Sequence, residues 1–516
     1  MNLALRSVSL MRRFTQALPT LTIAFLAGML TVLAFAPFHL WWLAPLSLSV
    51  LFRTWLKNPT QRGVTGFAFG LGLFLFGVHW IYISLHDHGE MPAVLAGLAL
   101  LGFSTFIALM PALAGIGSKH LGKHPTYLTA IFALPACWTL IEWSRTWFCT
   151  GFPWLGLGYS QVPDSPLAGW IPILGVYGPS LLCAMCAGAI AHLSLNIKNS
   201  QAWMKLVVMV VCVYGSGSLL QQIHWTKTSG EPLSVAILQG NISQDDKFDP
   251  EHIYEGMQRY ASLAQSNHSK LIVMPESALP LLLADVPAEY MNGLRDIAIR
   301  NQGDLLLGVF DEPTPGQIHN TMISLGLSPT QHYQKHHLVP FGEFIPLESI
   351  LGPVMGFILK IPIGSQSFGP LGQGVMKVAG QKIGMDICYE DAFGEEIITA
   401  LPEASLLINV SNDAWFGTAM GPEQHLQMAQ ARALETGRPM VRATSTGVSA
   451  FIGADGQIIQ RAPKGEIAVI ERTIQGRQGS TPFIQQGNLI VVVLSLLGCL
   501  ISAGINQKHS AQITQD

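Results

Sequence analysis

The order of apolar and polar residues divides the chain into a strongly apolar first part, a mixed middle part and a short apolar end. Seven long apolar segments precede residue 222 and an eighth follows residue 487, at 20–36, 40–56, 64–85, 92–116, 125–143, 170–196, 203–221 and 488–506. Each segment is near the length that a helix needs to cross about 30 Å of hydrocarbon. The pattern therefore predicts a multi-pass α-helical membrane domain with eight transmembrane helices.

In the middle part, short runs of strand type alternate with helical periodicity. Strand patterns lie at 234–240, 270–274, 304–310, 319–326, 374–379, 382–388, 404–410, 439–443, 447–453 and 465–471, and helical patterns lie at 250–264, 287–300 and 422–436. This order has more strand pairing than a doubly wound sheet needs, so it predicts a mixed α/β sandwich. The predicted parts are 1–221 with seven membrane helices, 222–487 with a sandwich core at about 230–475, 488–506 as the eighth helix, and the tail 507–516.

Composition supports a membrane location and argues against some partners. Charged residues make up 12% of the chain and apolar residues 49%, so the protein cannot cover its surface with charge and much of it must face lipid. The net charge of −3 gives no reason to expect a nucleic-acid partner. The glycines lack GxGxxG and GxxxxGK[ST] spacing, and the seven cysteines lack a zinc pattern. Neither a nucleotide cofactor nor a metal site is predicted.

The basic residues predict how the chain crosses the membrane. Arg and Lys cluster before the first apolar segment and after the second, fourth, sixth and eighth, whereas the opposite loops contain almost none. Cytoplasmic loops carry the excess of basic residues in membrane proteins. Both termini are therefore expected in the cytoplasm, and 222–487 outside it.

Three polar clusters follow predicted strands of the middle part. Glu276 comes just after one strand, Lys335 and Glu343 lie in the run KHHLVPFGE, and Cys388 ends another strand. A lone cysteine at a strand end is most often a buried structural residue. A carboxylate, a lysine and a thiol at strand edges of one domain instead suit covalent acyl chemistry. The thiol needs a base or a cation to become a nucleophile, and a tetrahedral oxyanion needs a positive donor.

These clusters, in this order and spacing, resemble the Glu–Lys–Cys triad of the nitrilase superfamily. With the eight apolar segments, the GFPW loop at 151–154, the KHHLVPFGEFIP run at 335–346 and the SNDAWFG run at 411–417, nearly the whole chain resembles the apolipoprotein N-acyltransferase family. The resemblance implies a nitrilase-like αββα sandwich in the middle part. It also implies a bacterial inner-membrane protein whose sandwich domain is periplasmic.

The resemblance implies a ping-pong N-acyltransferase without a cofactor. Cys388 matches the nucleophile that holds an acyl chain as a thioester, Glu276 the general base, and Lys335 the cation that stabilises the oxyanion. In this family the donor is the sn-1 chain of phosphatidylethanolamine. The acceptor is the α-amine of an S-diacylglyceryl-cysteine apolipoprotein. The implied partners are thus a phospholipid, a diacylated apolipoprotein and the bilayer.

Further residues match supporting positions of the family. Glu343 matches a second acidic residue that orients the site, and Tyr389 and Glu390 match an essential pair beside the nucleophile. Phe248 stands where the family commonly carries Trp, which keeps an aromatic contact but removes an indole N–H donor. The residues predicted to line the mouth of the site are Trp415, Phe341, Phe344 and Phe248, with an apolar wall or lid at 347–359 that includes Phe357.

The residues alone leave two other hypotheses open. A membrane-tethered amidase or nitrilase could hydrolyse a small C–N substrate with the same triad, although seven preceding spans serve no purpose for a soluble substrate. A transporter or receptor could use the outer domain to bind a ligand. The apolar segments lack the recurring buried charges of an ion-coupled transporter, and the main candidate, Glu142, lies near a segment's end.

Overall fold

Apolar helices form the first of the two units into which the chain divides. The computed structural model describes residues 2–121, 126–349, 352 and 365–513. The first unit holds Met1–His79, Gly97–Ile223 and Asn488–Asp516, and the second holds Trp80–Ala96 and His224–Gly487. The α-helices before residue 222 are α1 (Asn2–Thr31), α2 (Leu43–Lys57), α3 (Arg62–Gly77), α4 (Trp80–Ile83), α5 (Ala93–Leu121), α6 (Leu134–Ser144), α7 (Ile171–Leu174), α8 (Tyr177–Leu195) and α9 (Ser200–Leu220).

The helices before residue 222 confirm that the first part of the chain is helical and apolar. Their lengths do not confirm the count of eight membrane spans. Among the described residues, four helices are long and apolar enough to cross a membrane, or five if the bent pair Pro59–Gly77 and Trp80–His88 is one span. Helix is present in all eight predicted segments. However, α2 has 15 residues and α6 has 11, because α2 begins only at Leu43 and α6 follows a separate π-helical turn, Thr129–Ala133. The eight-span count therefore stays a prediction.

Two glycines allow α1 and α3 to pack with their backbones in direct contact. A Cβ atom at Gly28 would lie 1.9 Å from the carbonyl oxygen of Phe69, and one at Gly72 would lie 2.1 Å from that of Phe25. Small residues at such crossings are typical of membrane helices, whose association depends on close packing.

The described residues of the second unit form two six-stranded sheets and a two-stranded ribbon. Its strands are β1 (Thr226–Thr228), β2 (Leu233–Gln239), β3 (Leu271–Val273), β4 (Asp304–Thr314), β5 (Gln317–Gly326), β6 (His332–Gln334), β7 (Met376–Val378), β8 (Gln381–Ile387), β9 (Leu406–Ser411), β10 (Met440–Thr444), β11 (Ala450–Ile452), β12 (Ile458–Arg461), β13 (Ala468–Ile474) and β14 (Arg477–Gly479). Its further α-helices are α10 (Gln244–Lys247), α11 (Pro250–Gln265), α12 (Ala288–Arg300), α13 (Gly394–Ile397), α14 (Gly421–Thr436) and α15 (Pro482–Gln486), and α16 (Leu489–Ile513) belongs to the first unit.

In each six-stranded sheet, three neighbouring strands run in the same direction, so their carboxyl ends lie at the same edge. One sheet has the order β13-β2-β3-β4-β5-β6 and the other β12-β11-β10-β9-β8-β7. Within them, β2, β3 and β4 run parallel to one another, as do β8, β9 and β10. Carboxyl ends of parallel strands meet at one edge of a sheet, where α/β folds bind their ligands.

Alternating side chains pack the two sheets face to face. The shared core contains Val235 and Val273 from one sheet and Ile383, Ile387 and Ile408 from the other, all buried. The opposite face of the first sheet packs on α11 and α12, and that of the second packs on α14. The layers are thus helix, sheet, sheet and helix, which confirms the α/β sandwich predicted from the strand and helix patterns.

The strands that periodicity missed are short or exposed. Strand β12 is largely exposed on both faces, so it has no alternation of apolar and polar residues. Strand β6 and both strands of the β1–β14 ribbon have three residues each. Such segments are too short to show a period of two, and pairing with neighbours rather than local pattern defines them.

Gly308 in β4 should be intolerant of a side chain, because a Cβ atom there would lie 2.4 Å from the carbonyl oxygen of Pro275 and 2.6 Å from the nitrogen of Ser277. We expect Gly308→Ala to destabilise the protein by about 1–3 kcal/mol. The measurement is the midpoint of thermal unfolding in detergent.

Gly293→Ala is the matched control, because nothing lies within 4 Å of a Cβ atom there and the residue is inside helix α12. It should be neutral or stabilise by up to about 1 kcal/mol. Equal midpoints for Gly308→Ala and the wild type would contradict the close approach.

Candidate active site

Glu276 is a buried carboxylate held by three donors. It follows β3 and is 4% exposed. Its Oε1 accepts from Asn320 Nδ2 at 2.7 Å and from Lys335 Nζ at 3.1 Å, and its Oε2 accepts from the backbone N–H of Asn412 at 2.7 Å. Burial by itself raises the pKa of Glu276, but the positive charges of Lys335 and Lys247 outweigh it and the pKa is lowered. Glu276 is therefore ionised at neutral pH.

Lys335 lies between two carboxylates. It follows β6, is fully buried, and its Nζ is 3.1 Å from Glu276 Oε1 and 2.7 Å from Glu343 Oε1. Burial by itself lowers the pKa of Lys335, but the charges of Glu276 and Glu343 raise it well above its usual value. Glu343 Oε2 also accepts from the N–H of Val339 at 2.7 Å. Lys335 is thus a permanent cation, and its two ion pairs hold the ammonium group in place.

Cys388 sits on a sharp turn directly after β8. Its φ is +57°, a left-handed value that is costly for a residue other than glycine. Burial, and then the negative charge of Glu276, raises the pKa of the Cys388 thiol well above its usual value, and the charge of Lys335 offsets this only in part. At neutral pH the sulfur is therefore protonated.

Glu390 fastens this turn to the neighbouring loop. Its carboxylate accepts from the backbone N–H groups of Ile387 at 2.6 Å, His336 at 2.6 Å and His337 at 3.1 Å, and from the Tyr333 hydroxyl at 3.0 Å. Burial raises its pKa to about 7 against these hydrogen bonds. The predicted supporting residue Glu390 thus connects the Cys388 turn with the segment that follows Lys335.

Tyr389 is buried in an aromatic cluster. Its ring centroid lies 5.1 Å from that of Phe393 and 5.6 Å from that of His337, both nearly perpendicular. Such edge contacts add about 0.5–1.5 kcal/mol beyond burial. In the structure, Tyr389 supports the turn from the side of helix α13.

The residues predicted for the mouth have different environments. Trp415 is held by its carbonyl oxygen, which accepts from Ser84 Oγ at 2.7 Å. Phe341 is 43% exposed, and Phe344 packs against Phe368 with centroids 5.0 Å apart. Phe248 is half-buried at the end of α10. Most of the predicted wall at 347–359, including Phe357, lies outside the described residues.

A buried network of charges behind Cys388 was not predicted. Its members are Asp391, Asp413, His425 and Arg442, each at most 1% exposed. His425 lies 2.9 Å from an oxygen of each aspartate, and Arg442 donates to Asp391 at 2.9 Å and to Asp413 at 3.0 Å. Two positive groups therefore balance two negative ones away from water.

This network contacts the main chain of Cys388. His425 Nε2 lies 3.2 Å from the carbonyl oxygen of Cys388, and Asn409 Nδ2 donates to the same oxygen at 3.2 Å. Burial and Arg442 by themselves lower the pKa of His425, but the two aspartates raise it to about 9. Asp413 belongs to the SNDAWFG run, so that run was a signal in the sequence. No local pattern connects it with His425 or Arg442.

Comparisons with known proteins agree along nearly the whole chain. The family model described as apolipoprotein N-acyltransferase N-terminal domain matches residues 27–189, and the carbon-nitrogen hydrolase model matches 234–483. An apolipoprotein N-acyltransferase of Nitrosomonas europaea is 46% identical over 93% of this chain and 96% of its own length. The chain belongs to the apolipoprotein N-acyltransferase family. A second member, from Chromobacterium violaceum, is 39% identical over 92% of this chain and 91% of its own.

Membership in the apolipoprotein N-acyltransferase family confirms the resemblance seen in the sequence. The protein is an N-acyltransferase whose catalytic domain is of the carbon-nitrogen hydrolase type, as the nitrilase-like clusters indicated. The family and its apolar helices are consistent with the inner membrane. The roles of individual residues stay predictions.

The charge of His425 should make stability depend on pH. His425 binds its proton more tightly in the folded protein, with a pKa of about 9, than in the unfolded chain, with a pKa of 6.5. Its contribution, about 3 kcal/mol, is therefore complete below pH 6.5 and is lost as the pH rises through 9. The unfolding midpoint of the wild type should fall across this window more steeply than that of His425→Gln.

His268→Gln is the control for this pH series, because His268 is exposed on the same domain. Its profile should match that of the wild type. If the profiles of His425→Gln and the wild type run parallel between pH 6.5 and 9, the charged state of His425 is wrong.

Proposed function

We propose that this enzyme transfers an acyl chain from a membrane phospholipid to the N-terminal amine of an S-diacylglyceryl-cysteine apolipoprotein, the last step of lipoprotein maturation. The sn-1 chain of phosphatidylethanolamine is the proposed donor. The observation that carries the proposal is the buried Glu276–Lys335 ion pair beside the Cys388 turn, in a chain of the apolipoprotein N-acyltransferase family. An ionised base, a permanent cation and a protonated thiol are the groups that covalent acyl transfer requires.

In the first half-reaction, Glu276 takes the proton of the Cys388 thiol as the sulfur attacks the ester carbonyl carbon. Lys335 stabilises the oxyanion that forms. The carbon–oxygen bond then breaks, and the departing glycerol oxygen takes the proton from Glu276. The products are a Cys388 thioester and a lysophospholipid.

In the second half-reaction, the α-amine of the apolipoprotein attacks the thioester carbonyl carbon. A proton passes from the nitrogen to Glu276 and then to the sulfur as the carbon–sulfur bond breaks. The amide leaves and the thiol is restored. Apolar walls at the mouth have a use here, because attack by water would destroy the thioester.

Glu343, Glu390 and Tyr389 have supporting roles in this proposal. Glu343 holds Lys335 through a second ion pair, with its Oε1 2.7 Å from Lys335 Nζ. Glu390 and Tyr389 hold the turn on which Cys388 lies. The aromatic mouth of Trp415, Phe341, Phe344 and Phe248 would contact the acyl chains.

The proposed topology follows the distribution of basic residues. Eight helices would cross the inner membrane with both termini in the cytoplasm, and 222–487 would form the periplasmic catalytic domain between the seventh and eighth helices, followed by the tail 507–516. The basic clusters on one set of loops support this arrangement. It would present the catalytic domain to two substrates that are themselves anchored in the bilayer.

The function is tested by incubating the purified enzyme with a phospholipid that carries a tagged acyl chain, then adding a synthetic S-diacylglyceryl-cysteine peptide. We expect hydroxylamine-labile label on the wild-type protein, and its transfer to the peptide amine. Cys388→Ala should take up no such label, because the thioester sulfur is missing.

Cys149→Ala is the matched control, since Cys149 is an exposed free cysteine of the first unit. It should label like the wild type. Label that persists in Cys388→Ala would refute the nucleophile. Hydrolysis of small amides by a wild-type enzyme that takes no label from phospholipid would favour an amidase.

A further inference from the structure

A second lysine is buried beside the base. Lys247 ends helix α10, is 4% exposed, and its Nζ donates to the main-chain carbonyl oxygen of Glu276 at 3.1 Å. The same helix contacts the site again, because Gln244 Oε1 accepts from Asn412 Nδ2 at 2.8 Å. Since the N–H of Asn412 donates to Glu276, the helix is fixed on the Glu276 side of the site.

The two lysines of the site differ in their partners. Lys335 has two carboxylates within 3.1 Å. In the described part of the chain, no carboxylate oxygen lies within 4.0 Å of Lys247 Nζ, the distance limit for an ion pair. A buried ammonium without a counterion is costly, so such a group tends to lose its proton.

Burial and the neighbouring charges set the pKa of Lys247. Burial lowers the pKa of Lys247 to about 8 and Lys335 lowers it further, while the negative charge of Glu276 acts in the opposite direction. Near neutral pH, Lys247 can therefore exchange a proton, whereas Lys335 cannot. The site thus contains one fixed cation and one amine able to act as a base.

The second half-reaction needs such a base. The α-amine of a peptide has a pKa of about 7.7–8.0, so at neutral pH it arrives mostly as an ammonium ion without a lone pair. Glu276 handles the proton that later moves from nitrogen to sulfur. The first proton of the ammonium needs another acceptor, and proton transfer is most effective when the pKa of the base lies near the working pH.

We propose that Lys247 is a further catalytic residue, which accepts a proton from the incoming α-ammonium before the amine attacks the Cys388 thioester. This inference rests on the proposed function. One N–H bond of the ammonium breaks and its proton joins the neutral Lys247 amine, which later releases it to water. The freed amine attacks, and its second proton passes through Glu276 to the sulfur, so no other reactant is needed.

The test isolates the second half-reaction. Enzyme carrying a preformed tagged thioester is mixed with the S-diacylglyceryl-cysteine peptide, and the loss of hydroxylamine-labile label is followed at pH 7.0 and 9.5. The variants are Lys247→Met, which removes the amine, and Lys247→Arg, which keeps a positive charge that is effectively never deprotonated. Both should slow transfer at pH 7.0 by about six- to elevenfold, because only about one in six to one in eleven peptide amines with a pKa of 7.7–8.0 is unprotonated at that pH.

The pH dependence separates a base from a structural residue. At pH 9.5 the peptide amine arrives unprotonated, so the deficit of both variants should shrink to less than about twofold. At pH 7.0 both should slow transfer at least about threefold more than they slow thioester formation. Lys270→Met, which removes an exposed lysine of the same domain, should behave like the wild type.

Three results would overturn the role of Lys247. These are normal transfer by Lys247→Arg, which would show that charge suffices; an equal deficit at the two pH values; and equal slowing of both half-reactions. A wild-type enzyme that forms no thioester from phospholipid would instead overturn the proposed function, and this inference with it.

Discussion

The structure of the site depends on one buried ion pair, Glu276 with Lys335. An isolated charge at either position would be strongly unfavourable, and removing one partner of such a pair costs about 3–5 kcal/mol. Each charge therefore makes the other tolerable, and Asn320 and Asn412 supply the remaining hydrogen bonds of Glu276. The two charges act on the neighbouring Cys388 thiol in opposite directions, and the effect of Glu276, which raises the pKa of the thiol, exceeds that of Lys335.

The residues of the site come from both sheets. Glu276 and Lys335 follow β3 and β6 of one sheet, whereas Cys388 and Asn412 follow β8 and β9 of the other. The apolar core between the sheets fixes the distance between these strand ends. Behind Cys388, the neutral set of two aspartates, His425 and Arg442 holds a carbonyl oxygen of a strained turn in place. In the proposed mechanism, the buried charges of Glu276 and Lys335 serve the chemistry of the thiol, whereas those of the network hold its main chain in position.

The parts of this arrangement that follow strand periodicity could be predicted from the sequence. The strands that lead to Glu276 and Cys388 are apolar and end at polar residues, so the ends of both strands were predicted to within one residue. Lys335 was found through its motif rather than its strand, because β6 has only three residues. His425 and Arg442 could not be found, since they come from a fully buried helix and strand whose polar residues point at a network that only tertiary structure assembles. The number of membrane spans does not follow from the pattern of apolar residues, because apolar segments that are broken by turns give helices too short to cross a bilayer alone.

In the proposed mechanism, Cys388 rests as a thiol and is activated by Glu276 during attack, rather than existing as a preformed thiolate. The most direct measurement is the rate at which iodoacetamide alkylates the Cys388 peptide of the intact enzyme between pH 6 and 9.5, followed by mass spectrometry. Because the pKa of the thiol is raised by burial and by Glu276, the rate should keep rising up to at least pH 9. A rate that reaches its plateau near pH 7 would show a thiolate at rest and contradict the account.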